Sequence, residues 1–362
     1  MEDMVSMPFG PFYRGKKVLV TGHTGFKGGW LVTWLKVLGA RVVGFSLPPE
    51  SDRPSLFRSA EVEKGITSIF GDIRDFSSLS SVLKTHEPEI VFHLAAQPLV
   101  RRSYHEPVET YTTNVIGTVN VLEAIRHTRS VRVAVIITTD KCYENREWVY
   151  AYREIDPLGG FDPYSSSKAC AELVTAAYRN SFFLSAQRVL IASARAGNVL
   201  GGGDWADDRI VPDIIRALFA GATVVLRNPE ARRPWQHVLD PLRGYLILGK
   251  RLWEEGKEFA EAWNFGPRDE DVISVRELTE RVIKTWGSGE LRIQEGEGRL
   301  HEAQYLKLEC SKARARLGWN PLLTIDEAIE ATVSWYRSYR EDARSAGKVM
   351  AVQIQKYSER FP

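Results

Sequence analysis

Apolar and polar positions alternate along the first half of the chain in two periods. Short runs rich in β-branched residues at 17–21, 41–45, 66–70, 90–93, 131–138 and 189–195 read as buried strands. Between them, residues 28–38, 110–126 and 164–180 repeat their apolar positions at helical spacing. That order predicts βα units wound about a parallel sheet. Beyond about residue 195 the alternation breaks, interrupted by Gly201-Gly202-Gly203, several prolines and the segment Arg232-Arg233-Pro234-Trp235-Gln236-His237. Residues 263–266 predict one more strand and turn, 275–286 and 325–339 two amphipathic helices, and the charged stretch from 341 a peripheral helix or partly ordered tail.

A chain of 362 residues exceeds what a single hydrophobic core comfortably serves, so the pattern reads as one large domain with a smaller lobe. The formal net charge of +2, from 48 basic and 46 acidic residues, leaves no broad footprint for nucleic acid or an anionic membrane. No apolar run reaches the roughly 18 residues that span a bilayer. Residues 1–14 lack a basic region followed by an apolar one, so a cytoplasmic protein is expected. Cys142, Cys170 and Cys310 lie far apart without metal-ligand spacing, and none of His86-Glu87, His105-Glu106 and His301-Glu302 is completed to His-Glu-x-x-His. No catalytic metal is expected.

The first strand runs into Gly22-His23-Thr24-Gly25-Phe26-Lys27-Gly28, which opens the first long helix. Glycines there let the backbone approach a pyrophosphate, and the helix N-terminus presents free N–H groups to it, so a dinucleotide site is expected on Gly22, His23, Thr24, Gly25, Phe26 and Gly28. The fold class is therefore α/β, a Rossmann-type doubly wound parallel sheet with a smaller α/β substrate-binding lobe. Residues 15–196 with 236–266 form the dinucleotide domain, 197–235 and 267–340 the lobe, and 341–362 a peripheral tail. The acid that usually ends the second strand and binds the ribose is missing; Ser46 is a neutral substitute, and Arg53 an alternative that favours a 2′-phosphate. Asp72, beside Ile73, can accept from an adenine amino group, and Leu94-Ala95-Ala96 leave room for the dinucleotide.

Two Tyr-x-x-x-Lys pairs occur. Tyr13 and Lys17 precede the glycine turn and belong beneath the sheet, whereas Tyr164 and Lys168 open a helix after the fifth strand. A cation one turn away pulls a tyrosine down from its usual pKa of about 10 and readies it as a base. Lys168 can also hold the nicotinamide ribose, and Thr139, at the preceding strand end, the hydroxyl being oxidised.

These residues carry a resemblance. Residues 21–28, Thr139-Asp140-Lys141, residues 164–168 and Asn264-Phe265-Gly266-Pro267 resemble the extended short-chain dehydrogenases/reductases, specifically the nucleotide-sugar 4,6-dehydratases. Residues 23–30, Ala96-Gln97-Pro98-Leu99-Val100-Arg101, Asp140-Lys141-Cys142-Tyr143 and residues 233–237 resemble the branch acting on CDP-glucose, and the likeness spans about residues 16–335. It implies NAD as cofactor and CDP-glucose as substrate. Tyr164 would take the 4-hydroxyl proton as hydride leaves C4, Asp140 would protonate the departing 6-hydroxyl, and hydride would return at C6. Where most relatives place Glu after that Asp, this chain has Lys141. It acts either as the C5 base, if its pKa falls well below about 10, or as a cation steadying the C5 enolate.

Substrate candidates are Asn198 after the sixth strand, Arg209 and Arg233 with forked donors suited to a pyrophosphate, and His301 where the family's smaller lobe closes. Gln97, Arg101 and Gln236 come from the resembling motifs, and Trp235 is read evenly as base-stacking or core. The resemblance further implies a homodimer, or a dimer of dimers, built on helices 110–126 and 164–180, and a place in 3,6-dideoxysugar synthesis for surface polysaccharide. The rival readings are a dehydratase for another nucleotide sugar such as GDP-mannose, a 4-epimerase, and a catalytically silent dinucleotide-binding regulator. The last needs only the glycine turn, so keeping Thr139, Asp140, Tyr164 and Lys168 together speaks against it.

Overall fold

Strands Lys17–Thr21 (β1), Arg41–Ser46 (β2), Thr67–Phe70 (β3), Ile90–His93 (β4), Val133–Ile137 (β5), Leu190–Ala196 (β6) and Ala262–Phe265 (β7) form one sheet, ordered β7-β6-β5-β4-β1-β2-β3. Every pairing in it is parallel. This is the doubly wound parallel sheet predicted above, seen here in a computed structural model that describes residues 9–184, 188–294 and 305–361. Strand order reverses between β1 and β4, and Thr21 is in register with both Phe45 and His93. The carboxyl ends of β1, β2 and β4 therefore open together onto one crevice, where ligands of such sheets bind.

Helices cover both faces because both carry apolar side chains. One core joins Val18, Val20, Phe92 and Val135 to Trp30, Trp34 and Leu35 of the helix Phe26–Val37 (α1). The other joins Leu19, Val91 and Ala134 to Leu79 and Leu83 of Phe76–His86 (α2) and Val121, Leu122 and Ile125 of Gly117–Arg126 (α3). The helix Pro163–Tyr178 (α4) starts sharply: Asp162 caps it by accepting from the Ser165 N–H at 2.9 Å, and Pro163 occupies its first turn.

Residues 110–126 do not form the single regular helix their spacing predicts. Pro107–Tyr111 is helical, Thr112–Ile116 is a π-turn, and α3 follows. The wider turn sets Asn114 facing inward, where its Nδ2 donates to the Gln97 carbonyl at 3.0 Å and to Ser167 Oγ at 2.9 Å.

After β6 the chain makes three two-stranded pairs: Val199–Leu200 with Gln236–His237, Val224–Leu226 with Leu291–Ile293, and Arg232–Pro234 with Val272–Ser274. The helices Ile210–Ala220, Leu239–Glu255, Val275–Trp286 and Ile325–Glu341 intervene. The last helix, Ala346–Ser358, packs against α1 and Ile325–Glu341 and buries Met350, Ile354 and Tyr357. No helix among the described residues is long and apolar enough to cross a membrane.

Candidate active site

A cavity of about 460 Å³ opens at the carboxyl ends of the central strands, lined by the glycine turn, Ser46, Asp72, Ile73 and Leu94 to Ala96. Its floor exists because two glycines lack a side chain. A Cβ on Gly28 would lie 2.0 Å from the Gly22 carbonyl oxygen, and one on Gly22, whose φ is +78°, would lie 2.7 Å from the Ala95 nitrogen. Backbone can therefore approach a ligand closely at the N-terminus of α1, and the elongated lining fits a dinucleotide pyrophosphate. Thr24 Oγ1 hydrogen-bonds Ser46 Oγ at 2.8 Å, closing the side where a ribose acid is lacking. Arg53 is ion-paired with Asp207 and, at 3.1 Å, with Glu50, so it is no spare cation for a 2′-phosphate.

His23 is a correction to the expected lining. Its ring turns away from the cavity to fill the space above Gly44, bonds Ser68 Oγ through Nε2 at 2.7 Å and meets Phe57 edge-on. Burial lowers its pKa to about 4, so it is a neutral packing group. Asp72 does line the cavity, but its carboxylate is clamped by Arg74 and held below the usual carboxylate range by that hydrogen bond.

Four predicted groups lie beside the cavity and reach it through Ile137 and Lys27, which line it. Thr139 Oγ1 donates to Asp140 Oδ1 at 2.8 Å and shares a hydrogen bond with Tyr164, while Lys168 Nζ donates to the Ile137 carbonyl at 3.4 Å. All four side chains are buried. Burial raises the Asp140 pKa, only partly offset by Lys141, Thr139 and Arg233, and Oδ2 is left without a partner. Both features favour the protonated form over the anion, as a proton donor requires. The expected activation of Tyr164 is not present: burial pushes its pKa up to about 12, and Lys168 bonds a backbone carbonyl instead of acting on the phenol. Lys168 itself is pulled down to about 8, chiefly by burial.

The substrate candidates divide. Asn198 and Gln236 adjoin, the Gln236 N–H donating to the Asn198 carbonyl at 3.0 Å. Arg233 lies close enough to act on the charge of Asp140, and the neighbouring Pro234 packs at Gly197, next to Asp140 Oδ2. Arg209 lines the cavity and is paired with Asp204 at 2.9 Å. Arg101 is absent from the lining and pairs with Asp208 at 3.3 Å. Gln97 is a correction: its side chain folds back to bond Leu99 at both N–H and carbonyl and Thr110 at 2.8 Å, stapling its own loop instead of facing the cavity. Trp235 is core, donating to the Ile273 carbonyl. Gln236 Nε2 is engaged by the Phe265 carbonyl at 2.8 Å, leaving its Oε1 the free end. His301 lies outside the described residues.

Lys27 was missed. It lines the cavity, donates to the Tyr245 hydroxyl at 2.8 Å, and feels the charges of Lys168, Arg209 and Asp140. Burial and the two neighbouring cations lower its pKa to about 7. The signal was a lone charge inside the otherwise apolar run Gly25-Phe26-Lys27-Gly28-Gly29-Trp30-Leu31. The second residue missed, Asn114, gave no local signal, since its role depends on the π-turn.

Comparison with known proteins bears on the fold and the family. The profile of the family described as GDP-mannose 4,6 dehydratase matches residues 19–332. The chain is 51% identical to the CDP-glucose 4,6-dehydratase of Salmonella typhimurium, over 91% of this chain and 92% of that protein. A dTDP-glucose 4,6-dehydratase from Streptomyces venezuelae, solved with NAD and TYD bound, superposes with a TM-score of 0.78 at 25% identity, covering 90% of this chain and 98% of that one. An epimerase from Methanothermobacter thermautotrophicus reaches 0.80 at 24% identity, over 94% and 98%, and shares the fold. A family match over residues 19–332 and half-identity to a curated dehydratase over nine-tenths of the chain show its lineage, and the chain belongs to the GDP-mannose 4,6-dehydratase family, the nucleotide-sugar dehydratases of the extended short-chain dehydrogenases/reductases.

Proposed function

We propose that the protein is a lyase that converts CDP-D-glucose to CDP-4-dehydro-6-deoxy-D-glucose and water with NAD as a recycled cofactor. The observation that carries this reading is Asp140: a buried carboxyl whose pKa burial raises and whose Oδ2 has no partner, next to Thr139 and Tyr164 and beside a cavity shaped for a dinucleotide. An epimerase or a plain dehydrogenase needs the Tyr-Lys pair but no acid for a leaving hydroxyl. The choice of CDP-glucose rests on the identity to the Salmonella enzyme.

Bound NAD supplies the hydride acceptor for C4 and the donor that later reduces C6. Gly22 to Gly28 hold its pyrophosphate, Ser46 and Asp72 its adenosine end, and Lys168 its nicotinamide ribose. The neutralised Arg53 favours NAD over NADP. Thr139 orients the sugar's 4-hydroxyl, and Tyr164 takes its proton once its phenol pKa has been lowered from the value in the free protein by the positive charge of bound NAD+. The 4-ketone acidifies the C5 hydrogen, which is lost with Lys141 either as its base or as the cation that steadies the C5 enolate, and Asp140 protonates the 6-hydroxyl as it leaves. Asn198, Arg209, Arg233, Gln236 and Arg101 are assigned to the nucleotide sugar.

The reading extends to a cytoplasmic homodimer that supplies a precursor of 3,6-dideoxysugars for surface polysaccharide. Support for the dimer comes from the exposed apolar side chains Val108, Ile116, Leu173 and Phe182 on or beside α3 and α4. The lobe boundary is proposed at 197–235 and 267–340, with 236–266 returning to the dinucleotide domain through β7. The test is incubation with CDP-, dTDP-, UDP- and GDP-sugars and assay for a 4-keto product. Turnover of CDP-glucose is expected, and turnover of another sugar with none of CDP-glucose overturns the substrate.

A further inference from the structure

A buried stripe runs along one face of α4: Tyr164, Lys168 and Glu172, four residues apart. The function proposed above uses the first two and leaves Glu172 over. Its carboxylate accepts from Thr138 Oγ1, from Ser193 Oγ at 2.7 Å and from Arg195 Nη2 at 2.8 Å. Arg195 also donates to the Tyr143 hydroxyl at 2.7 Å and to the Glu154 carbonyl at 3.2 Å. Both members of the ion pair are only 3% exposed.

An ion pair this deep is a poor way to hold a helix on a sheet, because an apolar pair of the same volume does so without desolvating two charges. What a carboxylate provides and an apolar group does not is its charge on Lys168. Burial works against the Lys168 ammonium, and Glu172 is the largest charge opposing that effect. The other groups facing Lys168 do not replace it. Tyr164, one turn earlier, keeps its proton, Lys27 at the start of α1 is never an anion, and His93 at the end of β4 is neutral, its pKa lowered to about 3 by burial. The Cys142 thiol, from the turn Asp140–Cys142, is held protonated by burial. Arg195 on β6 is neutralised by Glu172 itself. The same carboxylate grips Thr138, next to Thr139 and Asp140, so it fixes the turn of α4 bearing Lys168 against the end of β5 bearing the acid.

We infer that Glu172 is a positioning residue of the reaction, which keeps Lys168 an ammonium beside Tyr164 and locks α4 to the Thr139-Asp140 strand end. The inference rests on the dehydratase reading and on Lys168 working as a cation in it.

The test is the pH profile of kcat, with NAD bound, for the wild-type protein, Glu172→Gln, Glu172→Asp and the double variant Glu172→Gln/Arg195→Gln. The double variant leaves neither charge unpaired and keeps the fold testable; because it also removes the Arg195 cation, its limb is expected to move in the same direction but less than that of Glu172→Gln. Without the carboxylate, Lys168 loses its proton more easily, so the alkaline limb is expected to move to lower pH by about one unit or more. KM for the nucleotide sugar is expected to stay within about twofold. Glu172→Asp, keeping the charge, is expected to leave the limb near its wild-type position at reduced kcat. Variants that lose rate evenly across pH, with the limb unmoved, overturn the inference and reduce Glu172 to a strut. A wild-type protein that turns over no nucleotide sugar fails earlier in the same experiment and rejects the dehydratase reading itself.

Discussion

At the scale of single residues, the site separates groups that hold protons from groups that hold charge. Tyr164 keeps its proton in the free protein, and burial raises the Asp140 pKa by disfavouring its anion. Tyr164→Phe is expected to cut turnover by about 10²–10⁴-fold, the usual worth of a positioned acid–base group, while NAD and CDP still bind. Steady-state assay beside equilibrium titration of both ligands checks it; retained turnover would remove Tyr164 from the chemistry. Lys27 gives a prediction of opposite character. Its folded pKa of about 7 lies below the ordinary lysine value of 10.5, so the folded state binds fewer protons between the two. Keeping Lys27 in place therefore costs stability below about pH 7, and that cost fades as pH rises toward 10.5. Lys27→Met is expected to raise the Tm of the cofactor-free protein more at neutral pH than in strong alkali. Thermal scans across pH read this directly, and an equal gain at both ends would show that the charge is not the cause.

At the scale of elements, the chemistry depends on where helices begin. α4 can present Tyr164 in its first turn because Asp162 satisfies the Ser165 N–H and Pro163 presets the backbone. Asp162→Ala is expected to cost about 0.5–2 kcal/mol by chemical denaturation. It should lower kcat as well, because the loosened turn carries the base; a loss of stability with kcat intact would separate the cap from the site. The strands were legible in the sequence because both faces of the sheet are covered, which makes β5, Val133–Ile137, apolar throughout. The glycine turn and the Tyr164-Lys168 helix were legible for a similar reason, since spacing along the chain alone fixes them. The π-turn at Thr112–Ile116 was not, because it is held by Asn114 bonding Gln97 and Ser167, one segment before it and one after. Gln97 and His23 were misassigned on the same ground. Each is adjacent in sequence to cavity-lining residues, but its side chain turns into a hydrogen-bond or packing network made by other elements. The pKa of Tyr164 was misjudged because helical spacing to Lys168 says nothing of the Ile137 carbonyl that engages the ammonium.

At the scale of the whole molecule, the loop from Gly203 to Arg209 roofs the cavity, and its acidic residues pair with Arg53, Arg101 and Arg227. The helix α4 and the π-turn before α3 meanwhile leave apolar side chains in solvent, Leu173 being 57% exposed and Ile116 50%. Sedimentation at micromolar concentration is expected to show at least a dimer, and Leu173→Glu to shift it toward monomer by placing a charge in the apolar contact. A wild-type monomer would contradict that assembly. The central claim is that one site removes a hydride from C4, expels water across C5 and C6, and returns the same hydride to C6. Turnover of CDP-glucose deuterated at C4, in ordinary water, tests it most directly, with the position of the label in the 4-keto product read by mass spectrometry and NMR. The expected result is deuterium at C6 and a solvent proton at C5; deuterium lost to solvent, or still at C4 in an inverted sugar, would contradict the account.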